Sequence, residues 1–221
     1  MTAPALTRDA EVVAAESGVL TRAWRLAIAI AAITGLGINT VAYETVMDSL
    51  MSFTQQSNLM VAAYFLWQAA RPSPRREPSA VPRPLLRGAV TLYIMITGIV
   101  YSLLLADGWE SYGLGDTLAH VVVPVAVLAD WWLVGTSQAL VRAWYPVAWL
   151  SYLFGYLTVV LIRGAMTDRY PYYFLNADSV GTGGLISYIA AFLVGFTVLG
   201  YLISAAGRLK RFRQPGNVVR A

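Results

Sequence analysis

The chain has 221 residues, 57% of them hydrophobic and only 13% charged, with sixteen basic residues against twelve acidic ones, a single histidine and no cysteine. That balance belongs to a multi-pass membrane protein and excludes an ordinary soluble domain. It also excludes disulfides, thiolate catalysis and cysteine-ligated metals. One histidine is too few for a histidine-built zinc or haem site, so neither metal nor cofactor is expected.

Residues 1–22 are polar and mixed in charge, with Arg8, Asp9, Glu11 and Glu16. They lack the basic start and apolar core of a cleavable signal peptide, and a cytoplasmic tail is expected. Six apolar stretches follow, at about 24–43, 52–70, 86–106, 117–135, 143–162 and 185–206. Each approaches the roughly 20 residues a helix needs to cross about 30 Å of hydrocarbon, where a helix satisfies its own backbone. The expected fold is therefore all-α: a polytopic integral membrane bundle of six transmembrane helices over 23–207, followed by a basic cytoplasmic tail at 208–221. Pro124 and Pro146 lie near the starts of two spans, where a lost donor costs least. Ala191 and Gly195 are spaced for close helix contact.

The loops predict orientation. With the N-terminus inside, fourteen of the sixteen basic residues fall on the cytoplasmic side, including the proline-rich loop from Arg71 to Arg83 and the tail from Arg208 to Arg220. Only Arg163 and Arg169 fall outside, where Glu44, Asp48, Asp107, Glu110, Asp116, Asp168 and Asp178 also lie. This bias is a positive-inside signal for an even number of spans, both termini in the cytoplasm, in the cell membrane. The basic residues then face anionic headgroups, and nucleic acid is not an expected partner.

Two spans carry unusual polar residues near their outer ends. The second opens with Ser52-Phe-Thr-Gln-Gln-Ser-Asn58, in which Thr54, Ser57 and Asn58 share a helical face. Such residues commonly cap helices or bond between them, yet five consecutive ones, Thr54 to Asn58, point to a protein-lined or water-filled pocket. The fourth span contains the lone histidine, His120, in Asp116-Thr-Leu-Ala-His120. It reads either as a buried histidine bonded to a neighbouring helix or as an acid–base group. Both spans run inward, and at about 1.5 Å per residue Thr54 and His120 lie at nearly the same depth. A hydroxyl beside a histidine base is a minimal arrangement for acyl transfer. Asp130, ten residues on, is about 15 Å deeper and cannot bond His120 from the same straight helix. It is expected to accept hydrogen bonds from another helix or to be held neutral by burial. Asp116 is expected to cap the span. Asn39 and Thr40 could join the pocket from the first span. The aromatic loop around Tyr172 reads as an interfacial belt or as a lid over an outward-facing cavity.

The stretches Phe53-Thr-Gln-Gln-Ser-Asn-Leu59, Leu118-Ala-His-Val-Val-Val-Pro124 with Asp130, and Tyr170-Pro-Tyr-Tyr-Phe-Leu175 resemble the bacterial Pr-six-Pr membrane family. They more distantly resemble the eukaryotic androgen-induced family of membrane hydrolases. The latter resemblance implies cleavage of a fatty-acyl ester of a hydroxy fatty acid or similar lipid, with Thr54 as nucleophile, His120 as base and Asp130 at an acidic position. The polar residues after Thr54 and the proline after His120 are not spaced as in the eukaryotic members. The expected function is lipid-ester hydrolysis, with a membrane lipid as substrate. Gln56, Ser57, Asn58, Asn39, Asp130 and Tyr172 are the candidate substrate-binding residues, and oxyanion donors are sought among the first amides of span two, Gln56 and Asn58. A small transporter or proton-coupled carrier, with His120 and Asp130 as relay stations, is the alternative from another class; a non-catalytic scaffold is a third.

Overall fold

A computed structural model describes residues 18–70, 83–134 and 137–209, and no strand occurs among them. Helix α1 is Val19–Thr40, the short α2 is Val46–Met51 and α3 is Phe53–Ala70. Helix α4, Arg83–Val100, continues into a π-helical turn, Tyr101–Leu105. Helix α5, Leu114–Leu133, is interrupted by a second π-helical turn at Leu118–Val122. Helix α6 is Tyr145–Thr167, and α7 is Ala177–Leu209, kinked at Gly181, whose φ is 72°. The sequence-expected inner loop over 71–82, the N-terminal tail before Gly18 and the basic tail beyond Leu209 lie outside the described residues.

Five of these helices are long and apolar enough to cross a membrane: α1, α4 with its π turn, α5, α6 and α7. They make the chain a multi-pass membrane protein. The expected second span is a helix of eighteen residues, but it falls short of the other five in apolarity because of its polar first turns. Its packing gives the physical reason. Ten of its eighteen residues are buried, so much of its surface meets protein, and only a lipid-facing surface must be apolar. Helix α1 shows the opposite pattern. Arg25, Ile28, Ala29, Ala32 and Gly35 form one buried stripe, while Ile30 and Ile33 face outward.

The core follows from these stripes. Ile28, Ala32, Val61, Phe65, Ile94 and Val127 join α1, α3, α4 and α5 in one cluster. Phe53, Leu92, Trp131, Trp149 and Ile203 join α3, α4 and α5 to α6 and α7 in a second. Helices α3 and α4 contribute to both, so whatever stands at the start of α3 stands inside the bundle. The expected close contact through Ala191 and Gly195 is corrected: both face outward, and no atom lies within 4 Å of a Cβ built on Gly195. Gly207 makes the tight approach instead, since a Cβ there would lie 2.8 Å from the Gln138 carbonyl.

Candidate active site

Thr54 sits in the first turn of α3, just after Ser52, whose extended backbone turns the chain out of α2. His120 sits in the π-helical turn of α5. A π turn widens the helix by one residue and re-aims its side chains, and such turns are frequent at functional sites. Two glycines let neighbouring helices close on this turn. A Cβ on Gly98 of α4 would lie 2.7 Å from the His120 carbonyl, and one on Gly35 of α1 would lie 3.2 Å from the Ala119 nitrogen. The histidine backbone is thus clamped from both sides.

The side chains meet. Thr54 Oγ1 lies 3.3 Å from His120 Nε2, with Thr54 9% and His120 5% exposed. On the other side of the ring, Nδ1 lies 3.1 Å from the Asp116 carbonyl oxygen, one helical turn back, and 3.7 Å from the Asp116 carboxylate. A carbonyl can only accept, so Nδ1 carries the proton. In the neutral ring Nε2 then holds the lone pair, and the Thr54 hydroxyl donates to it. This is the tautomer a general base requires, fixed by a backbone atom. Asn39 Nδ2 donates to Asp116 Oδ1 at 3.3 Å, which ties α1 to the same turn. The Tyr101 ring lies flat on the imidazole, with centroids 3.6 Å apart and 9° between planes. The stacked rings both stand on π-helical turns, which no periodicity in the sequence announces.

A partly open apolar cavity reaches Thr54. Its wall includes Phe53, Thr54, Tyr101, Tyr156, Tyr172 and Phe192. His120 is not on this wall. Thr54 stands on the cavity wall, with the imidazole behind it and Tyr101 covering the ring.

The other candidates fall into place differently. Ser57 bonds the Thr54 carbonyl at 3.1 Å and Thr97 Oγ1 at 2.6 Å. Asn58 donates to the Thr54 carbonyl at 2.9 Å and the Ala119 carbonyl at 3.4 Å. Gln56 donates to the Leu50 carbonyl at 2.6 Å and accepts from Tyr152. None of the three lines the cavity. The amide nitrogens of Gln56 and Asn58 and the Ser57 hydroxyl bond backbone and neighbouring helices, so these residues brace the Thr54 turn from outside the cavity wall. Asn39 acts through Asp116, and Thr40 bonds Leu36 and Gln55. Tyr172 does line the cavity.

Asp130 is fully buried and belongs to a different cluster. Arg87 Nη2 donates to its carboxylate at 2.7 Å, and Arg25 Nε lies 3.5 Å away. Its expected placement with the substrate-binding residues is therefore corrected: two guanidiniums claim the carboxylate. The expected cap is corrected too. Gly113 occupies the N-cap of α5, and Asp116 stands in the first turn, where its charge favours the helix dipole and its carbonyl orients His120.

No family model, curated protein or solved structure matches the chain.

The two arginines expected on the acidic side are both paired. Arg163 donates to Asp48 Oδ1 at 2.5 Å, and Arg169 reaches Glu44 at 3.3 Å and Asp48 at 3.5 Å. These pairs fasten α6 and the aromatic loop to α2, directly before the Thr54 turn. The Thr45 hydroxyl, then the Arg163 guanidinium, hold the Asp48 carboxyl below its usual range. A depressed carboxylate contributes stability that is fully present above the unfolded value of about 3.9 and is lost as pH falls through the lower folded value. Thermal unfolding in detergent should therefore show wild type more stable than Asp48→Asn near neutral pH, with the gap closing below about pH 4. A gap that stays constant into acid would remove Asp48 from this role.

Proposed function

We propose that this protein is a membrane-embedded hydrolase of lipid esters, with Thr54 as nucleophile and His120 as general base. The observation that carries the reading is the Thr54 hydroxyl donating to His120 Nε2 from a residue on the wall of an apolar cavity. A histidine that only stitched two helices together would need no cavity at its partner hydroxyl. Acyl transfer needs both, because the hydroxyl must lose its proton to a base as it meets the carbonyl. The cavity wall is aliphatic and aromatic, which suits an acyl chain, and the resemblance at Phe53–Leu59 and Leu118–Pro124 points to the same chemistry.

In this reading α3 is a sixth span, packed on α1, α4 and α5 with Leu59, Leu66 and Trp67 facing outward. Both termini lie in the cytoplasm, as the basic bias requires, and the cavity takes its lipid from the outer leaflet of the cell membrane. The carrier alternative needs His120 and Asp130 to act in one relay, but each is held by different partners. A long-chain fluorophosphonate tests the proposal directly. Peptide mass spectrometry should find the adduct on Thr54 and lose it in Thr54→Ala. Labelling that persists in Thr54→Ala, or lands on another hydroxyl, would overturn the assignment.

A further inference from the structure

The amides that open a helix have no partner within it. At the start of α3 two of them converge on one atom. The Tyr172 hydroxyl oxygen accepts from Phe53 N at 2.9 Å and from Thr54 N at 3.4 Å. Two accepted bonds occupy both lone pairs of that oxygen and leave its own proton to donate. Ser52 Oγ, 3.3 Å away, and the Tyr156 hydroxyl are its neighbours there, so that proton rests on a protein hydroxyl until a carbonyl oxygen in the cavity takes it over. The Tyr172 ring is stacked on Phe174, with centroids 5.1 Å apart and 12° between planes, and Phe174 is itself buried. Tyr172 and Thr54 wall the same cavity. The amide side chains otherwise suited to the task, Gln56 and Asn58, are committed elsewhere.

We propose that Tyr172 is the oxyanion donor of the ester hydrolysis assigned above to Thr54 and His120, on which this inference rests. Thr54 Oγ1 bonds to the ester carbon and its proton passes to His120 Nε2. The carbonyl π pair moves onto oxygen, two bonds from Oγ1, and the Tyr172 O–H donates a hydrogen bond to it without transferring its proton. The pair returns to re-form C=O, the bond to the alcohol oxygen breaks, and His120 gives its proton to the leaving alcohol. Water then attacks the acyl-Thr54 ester with His120 as base, Tyr172 again donates to the oxyanion, and the fatty acid leaves as Thr54 regains its proton. The two amides act through the phenol: by donating to its oxygen they polarise its O–H toward the substrate. Tyr172 is then a catalytic residue, and the aromatic loop completes the site as well as covering it.

The test is turnover of para-nitrophenyl dodecanoate by purified wild type, Tyr172→Phe and Thr54→Ala, with thermal stability measured on the same samples. Removing one oxyanion donor typically lowers kcat by about 10²–10³-fold. The expected result is a loss of that order in Tyr172→Phe with KM nearly unchanged, beside abolition in Thr54→Ala. Tyr172→Phe turning over within a few-fold of wild type, while Thr54→Ala is dead, overturns the donor role and leaves the hydrolase reading standing. Cleavage unaffected by Thr54→Ala, or absent in wild type, overturns both. Should Tyr172→Phe unfold, 3,5-difluorotyrosine at position 172 keeps the ring and hydroxyl but makes a stronger donor. It must then change kcat at unchanged stability, and no change overturns the role.

Discussion

Thr54→Ala and His120→Ala should each reduce ester cleavage by on the order of 10⁴-fold or more, and the double variant should be no worse than either single one. The hydroxyl is too weak an acid to attack unaided, so its reactivity exists only while a base can accept the proton. Their 3.3 Å separation makes them one unit, and removing either half removes the whole. Thr54→Ser should keep measurable turnover, because the hydroxyl survives and only a methyl is lost. The measurement is kcat/KM on a chromogenic ester, normalised to folded protein. Two singles whose losses multiply in the double variant would show independent roles and end the nucleophile–base pairing.

The pairing itself was legible from residues alone because it needed only depth. Thr54 and His120 lie near corresponding ends of their helices, and helical rise is constant. The breadth of the polar cluster misled for a physical reason. Thr54, Ser57 and Asn58 do share a helical face, but neighbouring helices cover Ser57 and Asn58, and only Thr54 of the five polar residues lines the cavity. The rest answer to groups on α1, α2, α4, α5 and α6 or to the backbone of α3 itself. Asp116 was visible one turn before His120, but that its carbonyl would set the tautomer depends on the π-helical turn between them. Tyr101 and Tyr172 reach the site from other elements across more than sixty residues of sequence between them, and no local pattern predicts such a meeting. The unexpectedly low apolarity of α3 has the same origin, since its neighbours rather than lipid solvate its polar turns.

Asp130→Leu should destabilise the protein by about 3–5 kcal/mol while leaving turnover per folded molecule close to wild type. The carboxylate is fully buried and shared by Arg87 and Arg25. Arg87 also donates to Ser137, Gln138 and the Asp130 carbonyl, and its guanidinium lies 5.7 Å from the Trp131 ring centroid. These contacts hold the guanidinium in place but do not neutralise it. Deleting the carboxylate breaks a buried pair by removing one side of it, which costs far more than the intact pair contributes. Asp130→Asn keeps an acceptor and should lose less. Adding Arg87→Met to Asp130→Leu should recover part of the loss, because a buried pair replaced on both sides by apolar residues costs less than one broken on a single side. Thermal unfolding in detergent reads the stability, and the chromogenic ester reads the site. This comparison also separates the two classes of function. A structural carboxylate changes stability and spares catalysis, whereas a relay station would stop function at unchanged stability. An Asp130→Asn protein as stable as wild type and devoid of activity would move Asp130 into the functional machinery and revive the carrier reading.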